Sequence, residues 1–156
     1  MIRSVGTDVV ELDHFADVVE RSRPGFLERL FTAGEISYCE RFRHSMASYA
    51  AVFAAKEAFL KALGTGLAQG IRWTDVEIAH APSGAPSVVA HGRCAELLGG
   101  GRAHVSLTHS RRAAAAVVVI EDAGPSSGRG AEELRGERGG ERPSDRGTDT
   151  GETRTR

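Results

Sequence analysis

One segment, residues 45–63, constrains the fold of this 156-residue chain more than any other. Its sequence is SMASYAAVFAAKEAFLKAL, most of which is alanine or large apolar residues, and Gly64 and Gly66 follow it. Alanine and leucine are strong helix formers, and glycine commonly lies just past the end of a helix. The segment therefore predicts one long helix that ends at Leu63.

The other predicted elements are shorter and mix strands with helices. Valine-rich or alternating segments predict strands, and short segments that end at glycine or proline predict helices. Because strands and helices do not alternate regularly along the chain, we expect an α+β fold. Asp13 is the predicted cap of the first helix. The predicted strands are residues 2–12, 73–80, 87–90, 103–109 and 113–121, and the predicted short helices are residues 14–23, 26–31, 33–42 and 91–100.

Composition divides the chain into a folded part, residues 1–123, and a tail, residues 124–156. The tail contains seven acidic residues, seven arginines and eight glycines but no aromatic residue. Such a segment cannot bury enough apolar surface to offset the entropy lost on ordering, so we expect it to be disordered. The folded part has the length of a single domain.

Charge and hydropathy argue against two broad classes of function. The formal net charge is -1, whereas a general nucleic-acid binder needs a strong basic excess. No apolar run approaches the ~18 residues of a membrane span, and the first residues lack the apolar core of a signal peptide. Cys39 and Cys94 fit no metal-binding spacing. We therefore expect a cytoplasmic protein with reduced, buried thiols and no nucleic-acid or membrane partner.

The long helix carries an informative group of charges. Lys56 and Lys61 are the only two lysines in the chain, and Glu57 lies between them. Residues four apart share one helix face, so Glu57 and Lys61 form one stripe while Lys56 points elsewhere. The stripe is either a surface ion pair, worth ~0.3–0.5 kcal/mol, or the place of a half-buried metal ligand. The spacing leaves both interpretations open.

Two further side chains and one loop are candidates. Asp8 interrupts a valine-rich strand, where a carboxylate is costly unless it is solvated, paired or bound to a cation. His109 ends a predicted strand, where a histidine is more often a turn or core residue than a catalytic one. The amides of Gly64, Thr65 and Gly66 can form an anion-binding nest, although a helix cap also explains Gly64.

Three motifs, taken in order, resemble holo-acyl-carrier-protein synthases, the small members of the 4′-phosphopantetheinyl transferase superfamily. They are GTDVVEL near the start, FAAKEAFLKALGTG in the long helix and VSLTHS before the last strand, and the similarity runs through about residues 1–121. The resemblance implies a small fold with mixed helices and an antiparallel sheet around one long central helix. It also implies Mg²⁺-dependent transfer of 4′-phosphopantetheine from coenzyme A to a serine of an apo-acyl carrier protein, with release of 3′,5′-ADP.

The resemblance implies a role for each candidate residue. Asp8 and Glu57 match the two metal-ligand positions, and Lys61 matches the lysine near the diphosphate. These three are the expected catalytic residues. Lys61, His109 and the loop of residues 64–66 match the coenzyme A site. The acceptor of the serine proton stays open between Glu57, Asp8 and a metal-bound water.

The resemblance also implies an acidic carrier protein as partner, and a homotrimer with its sites between subunits. Arg21, Arg23 and Arg29 lie in the region that the family uses to dock the carrier. Two positions depart from the family pattern. Val52 stands where many members have an arginine, so a phosphate contact is in doubt. His14 stands where many members have a basic residue, which puts part of the carrier docking in doubt.

Three functions therefore compete. The leading one is the transferase, whose carrier can belong to fatty-acid, polyketide or peptide synthesis. The alternative is a non-catalytic module that binds coenzyme A or a carrier protein without transfer. Val52 permits this alternative, whereas intact Asp8, Glu57 and Lys61 argue against it. A structural protein with surface ion pairs requires every motif to be accidental.

Overall fold

The structure, a computed structural model, describes residues 1–122, and within that range it contains five α-helices and five β-strands. The predicted boundary at residue 123 and the tail of residues 124–156 lie outside the described residues. The helices are α1 (Leu12–Arg21), α2 (Phe26–Leu30), α3 (Ala33–Cys39), α4 (Ser45–Leu63) and α5 (Gly92–Leu98). The strands are β1 (Ile2–Glu11), β2 (Val76–His80), β3 (Pro86–Ala90), β4 (Arg102–His109) and β5 (Ala113–Glu121).

Helix α4 forms the centre of the core, and its predicted bounds are confirmed. Twelve of its nineteen residues are buried, and seven of these twelve are alanine, so neighbouring elements approach its backbone closely. The helix ends at Gly64, which has a φ of 77° and whose amide donates to the carbonyl of Leu60. A residue without a Cβ is favoured at this left-handed cap.

The main sheet is antiparallel, with strand order β1–β5–β4, and packs one face against α4. Gly6 of β1 lies directly on the helix. A Cβ at this position would be 2.0 Å from the carbonyl oxygen of Ala58 and 2.6 Å from the amide nitrogen of Ala62. Only glycine permits this separation between strand and helix, and the contact fixes where β1 crosses α4. Strands β2 and β3 form a second antiparallel sheet.

Several predicted element bounds differ from the observed ones by one to three residues, and three of these differences have a clear physical cause. The first helix begins at Leu12, not after Asp13, because β1 leads straight into it and the Leu12 amide bonds to the carbonyl of Arg112. Residues 73–75 form a 3₁₀ turn instead of the start of a strand, since the Asp75 carboxylate accepts from the Arg72 amide. The third helix ends at Cys39 instead of residue 42, in a tight turn.

None of the helices between residues 1 and 122 combines the length and the hydropathy of a membrane span. Cys39 and Cys94 are free and buried, as expected from the sequence.

Candidate active site

Strand β1 brings Asp8 to the C-terminal half of α4. Residues two apart share one face of a strand, so the contact of Gly6 with the helix also turns Asp8 towards it. The Asp8 carboxylate lies 2.7 Å from the Lys61 ammonium, which also donates to the carbonyl of Thr7 at 3.2 Å. The Asp8 side chain is 15% exposed and that of Lys61 is 53% exposed. The hydrogen bond to Asp8 raises the pKa of Lys61 and keeps it charged.

Glu57 lies one turn before Lys61 and is half-buried. Within residues 1–122, no hydrogen bond or ion pair engages its carboxylate, and Lys61 pairs with Asp8 instead. Burial raises the pKa of Glu57, the negative charge of Asp8 raises it further, and the positive charge of Lys61 opposes both effects. Two carboxylates whose negative charges repel each other have the chemistry of a divalent-cation site.

Asp8 and Glu57 open into a cavity of about 700 Å³, which we call the first cavity. Its remaining wall is mainly apolar and aromatic, and His14 is part of it. The Phe53 ring packs 4.9 Å from that of Trp73, measured between centroids, and 5.5 Å from that of Phe15. The acidic groups therefore stand beside an apolar surface. The other wall residues are Val9, Val10, Glu11, Val18, Phe26 and Leu30.

His109 lies in a different cavity of about 910 Å³, the second cavity. It shares this space with Arg43, His44 and Arg111, at the N-terminus of α4. The positive end of a helix dipole and several basic side chains together favour an anion. The candidate residues are thus divided: Asp8, Glu57 and Lys61 are brought together, and His109 is not with them. No sequence motif had indicated the three basic residues that lie beside His109.

The loop after α4 contacts the helix end. The amides of Gly64 and Thr65 both donate to the carbonyl of Leu60, and the Thr65 hydroxyl donates to the carbonyl of Gly66. The first two amides are therefore used by the helix cap and are not free for an anion nest. A role for this loop at the coenzyme A site stays a prediction.

Among the described residues, no group of three or more His, Cys, Asp or Glu side chains converges on a metal position. Asp8 and Glu57 provide two carboxylate side chains. This number fits Mg²⁺, which commonly binds one or two carboxylates and completes its shell with waters and substrate phosphates.

A sequence profile of the 4′-phosphopantetheinyl transferase superfamily matches residues 4–118, from β1 into β5. The chain belongs to this superfamily. The match includes all three motifs that carried the resemblance, and it confirms the family predicted from the sequence.

Relatives and solved structures agree. The holo-[acyl-carrier-protein] synthase of Koribacter versatilis is 42% identical over 125 residues, which cover 78% of this chain and 100% of that protein. The Helicobacter pylori holo-[acyl-carrier-protein] synthase, solved with coenzyme A, matches with a TM-score of 0.67 and 31% identity, covering 75% and 99% of the two chains. A Bacillus anthracis holo-(acyl-carrier-protein) synthase, solved with CoA (3′,5′-ADP), matches with a TM-score of 0.67 and 29% identity, covering 79% and 99%. These matches confirm the predicted α+β class.

Val52, a departure from the phosphopantetheinyl transferase pattern, is only 1% exposed. It forms part of the wall of a third cavity of about 360 Å³, together with Arg43, His44, His80 and His109. An arginine at position 52 would point towards this basic group. Without that arginine, Arg43 is the positively charged side chain in the wall of the third cavity, and burial lowers the pKa of His80, which favours its neutral form.

Lys56, the second lysine of the transferase motif, faces away from the first cavity. Its side chain is fully buried, and its ammonium lies 2.6 Å from the Glu35 carboxylate. Burial lowers the pKa of Lys56 and raises the pKa of Glu35, and the attraction between the two charges opposes both shifts. Lys56 therefore has no direct access to a phosphate in the first cavity.

Proposed function

We propose that this chain is a holo-acyl-carrier-protein synthase. It transfers 4′-phosphopantetheine from coenzyme A to a serine of an apo-acyl carrier protein, requires Mg²⁺ and releases 3′,5′-ADP. Superfamily membership, the names of the relatives and the coenzyme A complexes of two of them support the enzyme class and both substrates. The observation that carries the proposal is the grouping of Asp8, Glu57 and Lys61 from two separate elements beside one cavity.

Asp8 and Glu57 would hold the metal. The fit is supported by the Glu57 carboxylate, which no described residue engages and whose pKa is raised by burial and by Asp8. A cation between the two would relieve their repulsion. When bound there, Mg²⁺ supplies positive charge that stabilises phosphate oxygens during the transfer.

Lys61 is placed to balance negative charge on the diphosphate of coenzyme A. An ammonium group has three N–H donors, and the carbonyl of Thr7 and the carboxylate of Asp8 take two of them. The third is available to a phosphate oxygen. Attack by the serine oxygen breaks the bond between the β-phosphorus and the bridging oxygen, so the ADP side leaves with increased negative charge. Positioned cations stabilise that charge. Glu57 and Asp8, whose carboxylates line the first cavity, are candidates to accept the serine proton, as is a metal-bound water.

The second cavity is proposed to bind the nucleotide phosphates of coenzyme A through His109 and its basic neighbours Arg43, His44 and Arg111. Within one chain this cavity is separate from the first. A site that needs both is then completed by a neighbouring copy of the chain, as the family resemblance implies.

The outward face of the main sheet supports assembly of several copies. Val5 and Val9 of β1 are 56% and 67% exposed, although strands rarely present large apolar side chains to water without a partner. Val117 and Val119 of β5 pair with Thr7 and Val5 and lie on the same side of the sheet. We propose that this face is covered in a homotrimer.

The carrier protein is proposed to dock beside the first cavity and to be acidic there. Arg21, Arg23 and Arg29 are exposed, and the Arg29 guanidinium lies 5.8 Å from the ring of Phe26, a wall residue of that cavity. Exposed charges of this kind mainly speed the encounter, so the rate of transfer would fall as salt increases. A cytoplasmic location stays a prediction.

The alternative, a non-catalytic module that binds coenzyme A or a carrier, rests on Val52. Arg43, which shares the third cavity with Val52, weakens that argument, because its guanidinium can replace the charge of the missing arginine. Intact-protein mass spectrometry separates the two functions. An apo-acyl carrier protein incubated with the chain, coenzyme A and Mg²⁺ should gain the mass of one phosphopantetheine, and EDTA should prevent it. Binding of coenzyme A without any mass gain on several carriers would favour the binding module.

A further inference from the structure

Lys56 uses every donor of its buried ammonium. It donates to the Glu35 carboxylate at 2.6 Å, to the carbonyl of Leu30 at 2.7 Å and to the carbonyl of Trp73 at 3.1 Å. The acceptors come from α2, α3 and the turn before β2. One side chain on α4 therefore bonds to three segments that are distant from Lys56 in sequence.

Glu35 is equally well satisfied. Besides Lys56, its carboxylate accepts from the amide of Thr32 at 2.8 Å and from the amide of Ile78 at 2.8 Å. The Thr32 bond closes the capping box of α3, and the Ile78 bond fixes β2 to that helix. The Lys56–Glu35 pair is thus a closed network with no missing partner.

The held segments belong to the site. Leu30 and Trp73 both form part of the wall of the first cavity, and Glu57 is the residue next to Lys56 on α4. We infer that the Lys56–Glu35 pair positions the apolar wall of the first cavity, at Leu30 and Trp73, against Glu57 for the transfer reaction. This inference rests on the proposed function, and it makes both residues positioning residues, since neither reaches the cavity.

Stability alone does not account for such a pair. Two charges lose their hydration on burial, and replacing a buried ion pair by apolar side chains of similar volume is often neutral or stabilising. Apolar contacts, however, have no preferred direction, whereas three hydrogen bonds fix the Leu30 and Trp73 backbone relative to α4. An error of about 1 Å in the placement of reacting groups costs up to ~100-fold in rate.

The double variant Lys56→Met/Glu35→Leu separates position from stability. We expect the variant to stay folded, because no unpaired charge is left buried. Its melting temperature should fall below that of the wild type, because four backbone groups, of Leu30, Trp73, Thr32 and Ile78, lose their hydrogen-bond partners. Activity is therefore compared well below both melting temperatures. We expect kcat for transfer to the carrier to fall about 10- to 100-fold. KM for coenzyme A should change little, since its phosphates bind Lys61 and the second cavity. The matched surface control Arg93→Met/Glu96→Gln removes an exposed pair on α5 and should leave kcat and KM unchanged.

Trp73 supplies a second readout that needs no turnover. It is the only tryptophan in the chain, so its fluorescence reports the position of the cavity wall. Acrylamide should quench it more strongly in the double variant than in the wild type and the surface control.

The outcomes are distinct. A double variant that transfers with wild-type kcat and has wild-type quenching would overturn the positioning role and leave the proposed function intact. Absence of transfer by the wild type would count against the proposed function, and with it against the positioning role. If the double variant does not fold, Glu35→Gln, which keeps the size of the side chain, decides: wild-type kcat and quenching in that folded variant would overturn the inference.

Discussion

The Lys61 ammonium lies 2.7 Å from the Asp8 carboxylate, although 53 residues separate the two in sequence. The pair joins β1 to α4 and places a positive charge beside two carboxylates. Lys61 is more than half exposed, so the pair contributes little to stability. The cost of ordering these charges is therefore better explained by a ligand that needs them than by the fold.

Replacing Lys61 tests this interpretation. Lys61→Met keeps the aliphatic part of the side chain and removes the charge, so we expect the melting temperature to change little and kcat to fall about 10²- to 10³-fold. Calorimetry and a carrier-protein transfer assay measure the two effects. Arg93→Met, which breaks the exposed Arg93–Glu96 pair, is the control and should keep full activity. A fully active Lys61→Met chain would show that this lysine is only a surface partner of Asp8.

Glu57→Gln should abolish metal-dependent transfer while the protein stays folded. Because burial and Asp8 raise the pKa of Glu57, its ionised form is disfavoured in the folded chain without metal. Neutralising it should leave the melting temperature equal or slightly higher in EDTA, and should remove the increase in melting temperature that we expect Mg²⁺ to cause in the wild type.

The same pKa direction gives a pH dependence. A raised pKa means that Glu57 favours the folded state most at low pH, and that this contribution is lost as the pH rises above the ordinary range near 4.5. A carboxylate binds a metal ion in its ionised form. The Mg²⁺-induced increase in melting temperature should therefore be small at about pH 5 and larger at about pH 7.5. An equal increase at both values would contradict a metal ligand at Glu57.

Gly6→Ala should damage both fold and site. The added Cβ would meet the backbone of α4 at Ala58 and Ala62, which cannot yield as a flexible side chain can. We expect a loss of at least ~1–3 kcal/mol in the free energy of unfolding, and lower transfer activity because Asp8 moves with β1. Chemical denaturation measures the first effect. Gly34→Ala is the control, since its Cβ would meet only side chains, Glu77 at 3.0 Å and Thr32 at 3.8 Å, and no backbone.

The sequence predicted best those features of the fold that depend on a single element. The bounds of α4 followed from local composition, and the grouping of Asp8 with Glu57 and Lys61 followed from the family pattern. The pairing of Lys61 with Asp8 instead of Glu57 could not be predicted in this way. Spacing along a helix carries no information about a strand that crosses the helix. The Lys56–Glu35 pair joins α4 to a seven-residue helix across 21 positions, and no periodic pattern marks such a contact.

The buried thiols should resist alkylation and weaken the fold at high pH. Burial raises the pKa of Cys39 from 9.0 to about 12 and that of Cys94 to about 11. Their contribution to stability is complete below pH 9.0 and is lost as the pH rises towards the folded values. Iodoacetamide at about pH 8 should label neither thiol in the native protein and both in denaturant. In Cys39→Ala, the free energy of unfolding should fall less steeply between about pH 9 and 11 than in the wild type.

A site shared between copies of the chain predicts complementation. Glu57→Gln and His109→Ala chains should each be inactive, the first for want of a metal ligand and the second for want of a phosphate contact. If Glu57 of one copy works with His109 of the next, trimers refolded from an equal mixture contain sites in which both residues are intact. Random association makes about a quarter of the sites intact, so about a quarter of wild-type activity should return. Separately refolded variants, mixed only before the assay, are the control and should stay inactive. Native mass spectrometry should first show that the co-refolded trimers contain both variants. If such mixed trimers recover no activity, both residues belong to the site of a single chain.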